Sequence, residues 1–80
     1  MDHDAVLPVV KASEVVRALQ KAGFYISRTR GSHHQMKKDG HRYLVTVPQH
    51  GPTTIKPGTL RSIIRGAGLS KADFVKLLKD

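Results

Sequence analysis

The 80-residue sequence has no cysteine, no tryptophan, only two phenylalanines and two tyrosines, and few acidic residues. Without cysteine there can be no disulfide framework, no thiol nucleophile and no thiolate metal site, and a reducing compartment is the natural setting. Acidic residues number six against fourteen Lys/Arg, a formal net charge of +8 and a pI of about 10.3. That balance favours polyanionic partners: nucleic acid, or an acidic protein that masks a nucleic-acid site. No apolar run is long enough to span a bilayer. The opening Met1-Asp2-His3-Asp4 is acidic and precedes only a short apolar run, unlike the basic start and long apolar segment of a secretory signal, so a cytoplasmic protein with no membrane partner is expected. Eighty residues make one small domain with a modest core, which a partner protein would stabilise further by binding its folded state.

The cations are spread along the chain at Arg28, Arg30, Lys37, Lys38, Arg42, Lys56, Arg61 and Arg65, as expected of a folded binding face and not of a charged tail. Residues 1–12, with Pro8 and no period, read as an N-terminal arm, and residues 13–80 as a single domain. From Ser13, a candidate cap, apolar Val15, Val16, Leu19 and Ala22 recur at helical spacing, and Gly23 stands where a helix-ending glycine belongs. Phe24 to Arg28 alternates as a strand. Thr29-Arg30-Gly31 reads as a three-residue hairpin loop, Ser32 to Lys38 as a second strand, and Asp39-Gly40 as a two-residue turn. A third strand then runs from His41 or Arg42 to Val47 and stops at Pro48. After a loose connection from Gln49 to Lys56, Pro57 opens a second helix with the stripe Leu60, Ile63, Ile64 and Ala67, which Gly68 ends. Ser70 to Asp73 resembles a capping box for a short last helix. The expected fold is α+β: α-β-β-β-α with a three-stranded antiparallel sheet, helices on one face, and a short extra C-terminal helix.

Two histidines, His33 and His34, follow Gly31-Ser32 into the second strand. With Asp39-Gly40 as the turn, Met36 is expected opposite Tyr43, His34 opposite Val45 and His33 opposite Thr46. His34 then shares the apolar face with Met36, Tyr43, Val45, Phe24 and Ile26. His33 falls on the open face with Gln35, Lys37, Arg42, Thr46 and Leu44, beside Tyr25 and Ser27. A histidine among cations on a surface that attracts phosphate can exchange protons during RNA cleavage, with Lys37, Arg42 or Arg28 offsetting charge on the phosphoryl oxygens. Position alone does not set this above the plainer reading of a solvated strand residue. His34 reads as a packed, hydrogen-bonded side chain, and His3, His41 and His50 as solvated loop or turn residues. A metal site is not expected, since His33 and His34 point to opposite faces and no acid or thiolate completes a ligand set.

The ordered combination Ala22-Gly23-Phe24, Arg30-Gly31-Ser32-His33-His34, Val45-Thr46-Val47-Pro48 and Lys56-Pro57-Gly58-Thr59-Leu60-Arg61-Ser62-Ile63-Ile64-Arg65-Gly66-Ala67-Gly68-Leu69 resembles the HicA, or YcfA-like, toxins of bacterial toxin–antitoxin pairs. The resemblance covers about residues 7–78. It implies a fold like the double-stranded-RNA-binding domain and a metal-independent endoribonuclease, without cofactor, that cleaves mRNA and inhibits translation until a HicB-type antitoxin neutralises it. The family's motif carries over to Gly31 and Ser32 as the supporting turn and to His33 as the catalytic histidine. Arg28, Lys37, Arg42 and Tyr25 are the expected RNA-binding side chains beside it. The chain departs from the family pattern in its longer N-terminal arm and in the Gln49–Thr54 connection. Two other readings stand beside this one: a non-catalytic module that recognises double-stranded RNA by shape and phosphate contacts, and a basic accessory subunit that only docks an acidic partner.

Overall fold

Two helices end in the same way and thereby set the layers of the molecule. In the computed structural model, which describes residues 7–49, 51, 52 and 54–79, α1 spans Ala12–Lys21 and α2 spans Pro57–Gly66. Past α1, Gly23 takes φ +103, its N–H donates to Gln20 O, and the Phe24 N–H donates to Leu19 O. Past α2, Gly68 takes φ +74, its N–H donates to Arg65 O, and the Leu69 N–H donates to Ile64 O. Both are Schellman turns, which satisfy the last helical carbonyls and reverse the chain only if the glycine accepts a left-handed conformation. The first turns the chain into the sheet, and the second turns it into α3 (Lys71–Lys79).

The sheet consists of β1 (Tyr25–Arg30), β2 (His33–Lys37) and β3 (Val45–Pro48), antiparallel and in the order β1-β2-β3. The architecture is therefore the expected α+β fold: α-β-β-β-α with a C-terminal helix. Its core joins Val15 and Leu19 of α1, Met36, Val45 and Val47 of the sheet, Leu60, Ile63 and Ile64 of α2, and Phe74 of α3. These are the stripe positions that sequence spacing marks, and no polar side chain is buried among the described residues.

The helix starts differ in detail from expectation. α1 begins at Ala12, two residues before the helix that Ser13 would cap, because Glu14 accepts the Lys11 N–H at 2.8 Å and does the capping from the first turn. Val10 is buried and its carbonyl accepts the Ile55 N–H at 2.8 Å, so the end of the arm is seated against the segment before α2. Pro57 does occupy the first turn of α2. Ser70 and Asp73 form the reciprocal capping box at α3: the Asp73 N–H donates to Ser70 Oγ at 3.0 Å and the Ser70 N–H to Asp73 Oδ2 at 3.4 Å. The expectations for His3, His50 and residues 1–6 lie outside the described residues.

Both hairpins depart from the predicted register. The β1–β2 turn is Gly31-Ser32, with Arg30 opposite His33, Thr29 opposite His34 and Arg28 opposite Gln35. Thr29 and Arg30 are thus strand residues and not loop. A bulge at Ser27 then shifts the pairing so that Ile26 meets Met36 and Tyr25 meets Lys37. On the other side, Met36 pairs with Val45, Gln35 with Thr46, His34 with Val47 and His33 with Pro48, two residues further along than expected. Asp39-Gly40 does form a turn, closed by the His41 N–H on Lys38 O at 2.9 Å. Only Gly40 has positive φ, however, and the tight hairpin turn of type I′ needs it at both central residues. The ladder therefore does not continue, and β3 begins only at Val45. Tyr43, expected in the core, is 63% exposed. Arg42, expected in β3, lies in the connecting segment and is exposed. His41, expected to be solvated, is half-buried: its Nε2–H donates to Gly66 O at 2.7 Å and its ring meets Phe24 edge to face at 5.2 Å.

Candidate active site

Gly31 has φ +56, and a β-carbon there would meet nothing within 4 Å. The turn therefore needs this glycine for backbone conformation and not for space. It delivers β2 so that His33, Gln35 and Lys37 alternate with His34 and the fully buried Met36. Helices cover the Met36 side, and His33 stands exposed on the opposite, open face.

That face is built in rows across the strands. The first is Arg30, His33 and Pro48, and the second is Arg28, Gln35 and Thr46. Directly opposed residues of an antiparallel pair share a face, so Arg30 is His33's immediate neighbour and Arg28 and Thr46 are its diagonal ones. The Ser27 bulge makes this possible. Without the extra residue, Arg28 and Arg30 would share a face with Ile26, the partner of Met36 on the helix side. Ser27 itself donates its hydroxyl to Gln35 O at 3.2 Å, so it supports the bulge and does not stand beside His33 as expected. Tyr25 is 48% exposed and pairs with Lys37, four residues along β2 from His33, or about 13 Å at the rise of an extended strand. The two lie on the same face as His33 but too far to touch the same group. Pro48 is tolerated opposite His33 because β3 is an outer strand.

Behind His33 lies a polar clamp. His34 is half-buried, with Nδ1 at 3.0 Å from Thr29 Oγ1 and Nε2 at 2.7 Å from Gln49 Oε1. Oε1 can only accept, so Nε2 donates to it, and Nδ1 shares the second bond with the Thr29 hydroxyl. Gln49 also gives its main-chain N–H to Ser32 O. One residue thus holds both the turn before His33 and the side chain after it. His34 is the packed, hydrogen-bonded residue that the alternation predicts. Sequence pattern points to neither Gln49 nor Arg30 as a neighbour of His33. Gln49 carries no local signal, being one polar residue in a connection, and Arg30 reads as loop unless the bulge is known. Of the expected side chains, the sheet brings Arg28 near His33, keeps Lys37 and Tyr25 on the same face at a distance, and leaves Arg42 off the sheet.

The model of the HicA toxin of bacterial toxin–antitoxin systems matches residues 12–69, most of the chain. The chain belongs to the HicA toxin family. A search of curated proteins finds no match. As a HicA toxin it is the toxin component of a toxin–antitoxin system, and the matched span runs from the first residue of α1 to the Schellman turn after α2. The whole sheet face and its histidine lie inside that span. No helix among the described residues of this HicA toxin is long and apolar enough to cross a membrane.

Proposed function

We propose that this HicA toxin is a metal-independent endoribonuclease of the cytoplasm that cleaves mRNA on its open sheet face, with His33 as the proton-transfer residue. The observation that carries this reading is the placement of an exposed histidine between the strands beside Arg30 and diagonal to Arg28, in a chain of the HicA family. The ring of His33 takes the proton of a ribose 2′-OH, and the freed oxygen attacks the adjacent phosphorus. The bond from phosphorus to the 5′-oxygen breaks, leaving a cyclic phosphate on one fragment and, with a proton from solvent, a hydroxyl on the other. Arg30 and Arg28 stabilise the charge that builds on the phosphoryl oxygens. Lys37 and Tyr25, further along the same face, hold the neighbouring part of the strand by charge and by base stacking. A HicB-type antitoxin neutralises the activity, and cleavage of mRNA stops translation.

The test compares the parent chain with His33→Ala on a single-stranded mRNA in the presence of EDTA. The parent degrades the RNA, the variant does not, and expression of the variant no longer arrests growth. Equal cleavage by both would remove His33 from the reaction. Tight binding of RNA with no cleavage by the parent would favour the non-catalytic RNA-binding reading.

A further inference from the structure

A second cationic feature lies away from the sheet face. Arg61, Ile64 and Arg65 of α2, with Leu69, Ser70 and Lys71 at the start of α3, line an open cleft of about 310 Å³. Arg61 and Arg65 are exposed and four residues apart, so they stand on one side of α2, separated by about 6 Å along its axis. Lys71 also lines the cleft, and no acidic residue among the described ones does. The start of α3 is already occupied by its own Ser70–Asp73 box, so any affinity for anions comes from these three cations.

We infer that this cleft is a second contact for the RNA strand, taking its phosphodiester backbone, an assignment that rests on the ribonuclease reading above. Two guanidinium groups on one helix side, a helical turn apart, suit successive phosphates of an extended strand, since each can grip a phosphate through two N–H donors. The cleft is poorly suited to a protein partner. Arginines anchor protein interfaces chiefly in company with Trp and Tyr, in well-packed pockets that are fully desolvated on binding, and this open cleft has no aromatic side chain. Here Ile64 is 3% exposed, already part of the core, and Leu69 is half-buried. Among the described residues the exposed large hydrophobic ones, Val9, Tyr25, Ile26, Tyr43 and Leu44, all lie elsewhere.

The fold also supplies a route between the two sites. β3 is an outer strand of the sheet, and α2 packs behind it, with Gly66 placed so that a β-carbon would lie 3.9 Å from Val45 Cγ2. A strand that leaves the His33 face over the β3 edge therefore arrives at α2. The molecule extends 34 × 30 × 22 Å, so a long RNA can reach both sites while a dinucleotide covers the sheet face alone.

The experiment measures RNA affinity against salt concentration for two chains, one with His33→Ala alone and one with Arg61→Gln and Arg65→Gln added. The His33 substitution prevents cleavage during titration. Every phosphate of a single strand that is no longer neutralised flattens the slope of log K against log salt by about 0.7, so the double substitution is expected to flatten it by about 1.4. Affinity at low salt falls about tenfold or more. In chains that keep His33, the pair of substitutions raises KM for a long mRNA, leaves kcat unchanged and leaves dinucleotide cleavage untouched. An unchanged slope beside an RNA-binding parent overturns the inference and spares the ribonuclease reading. So does an unchanged slope with loss of the antitoxin complex, which would make the cleft a protein site. A parent that binds no RNA overturns both. The melting temperatures of the two chains should agree, since both arginines are exposed, and Arg61→Lys with Arg65→Lys should restore the slope.

Discussion

Nε2 of His34 lies 2.7 Å from Oε1 of Gln49, and through that bond the strand carrying His33 is tied to the chain that leaves β3. The same imidazole meets Thr29 on β1, so a single side chain links all three segments at the end of the sheet where His33 projects. Replacing it with alanine removes two hydrogen bonds and leaves the Gln49 and Thr29 groups to find water. We expect His34→Ala to cost about 1–3 kcal/mol of stability. For a domain of this size that lowers the melting temperature by roughly 4–8 °C per kcal/mol. Gln49→Ala should cost less, and the double variant should fall short of the sum by about 0.5–1.5 kcal/mol, since both single changes remove the same bond. Strict additivity in urea unfolding would show that the bond contributes nothing.

Gly31 offers a prediction of a different kind, since a side chain there has room but not the right backbone. With φ +56 and no atom within 4 Å of an added β-carbon, Gly31→Ala should cost about 1 kcal/mol through conformation alone. Gly31→Asn should cost distinctly less, because asparagine visits the left-handed region more readily. If both cost the same, sterics and not backbone preference would govern the turn. Because the turn sets the row of Arg30 and His33, cleavage should follow the same ranking as stability.

The faces of β2 and β3 were legible from the sequence even though neither register was, whereas that of β1 beyond Ile26 was not. Side chains alternate with a period of two, so the two-residue displacement on the β3 side changed every partner of His33 and His34 but flipped neither. Helix stripes, the Pro57 start, the Gly23 and Gly68 stops and the Ser70–Asp73 box were also readable, because each depends on residues close in sequence. What escaped depends on distant partners. The bulge at Ser27 turns Arg28 and Arg30 onto the open face, and no local pattern announces it. Gln49 matters only because the fold brings it to Ser32 and His34. The Asp39-Gly40 signal marked a turn but not a tight hairpin: Asp39 keeps a negative φ, and the next residue but one, His41, bonds to the C-terminal end of α2, a partner no local pattern names.

That contact of His41 can be tested directly. Its bond to Gly66 O satisfies one of the carbonyls that a helix end leaves without an intrahelical partner, and its ring packs on Phe24 and, at 6.2 Å, on Tyr43. His41→Ala should destabilise the domain by about 1–2 kcal/mol. It should also speed amide hydrogen exchange in residues 41–44 more than in β2. The cleft and the sheet face are not formed by His41, so cleavage of a dinucleotide should keep its rate at temperatures where the variant remains folded. A large loss of activity in the folded variant would mean that the 38–44 segment contributes to the site, which would return Arg42 to consideration as an RNA contact.

Phe74 gives the sharpest stability prediction, because the family match stops at residue 69 while the core does not. Phe74 is wholly buried and is among the largest fully buried side chains of the described residues, and Leu77 and Leu78 of the same helix pack against the same core. α3 is further fastened to α1 by Lys21 Nζ, which donates to Leu77 O at 3.1 Å. If α3 were an appendage, its removal would leave the domain intact. If it closes the core, as its burial requires, Phe74→Ala should cost about 3–5 kcal/mol, a large part of the stability a domain this small can have. Val75, half-buried on the same helix, should cost far less when changed to alanine. A chain ending after Leu69 should fail to fold on its own. Urea unfolding of Phe74→Ala within about 1 kcal/mol of the parent would instead make α3 dispensable.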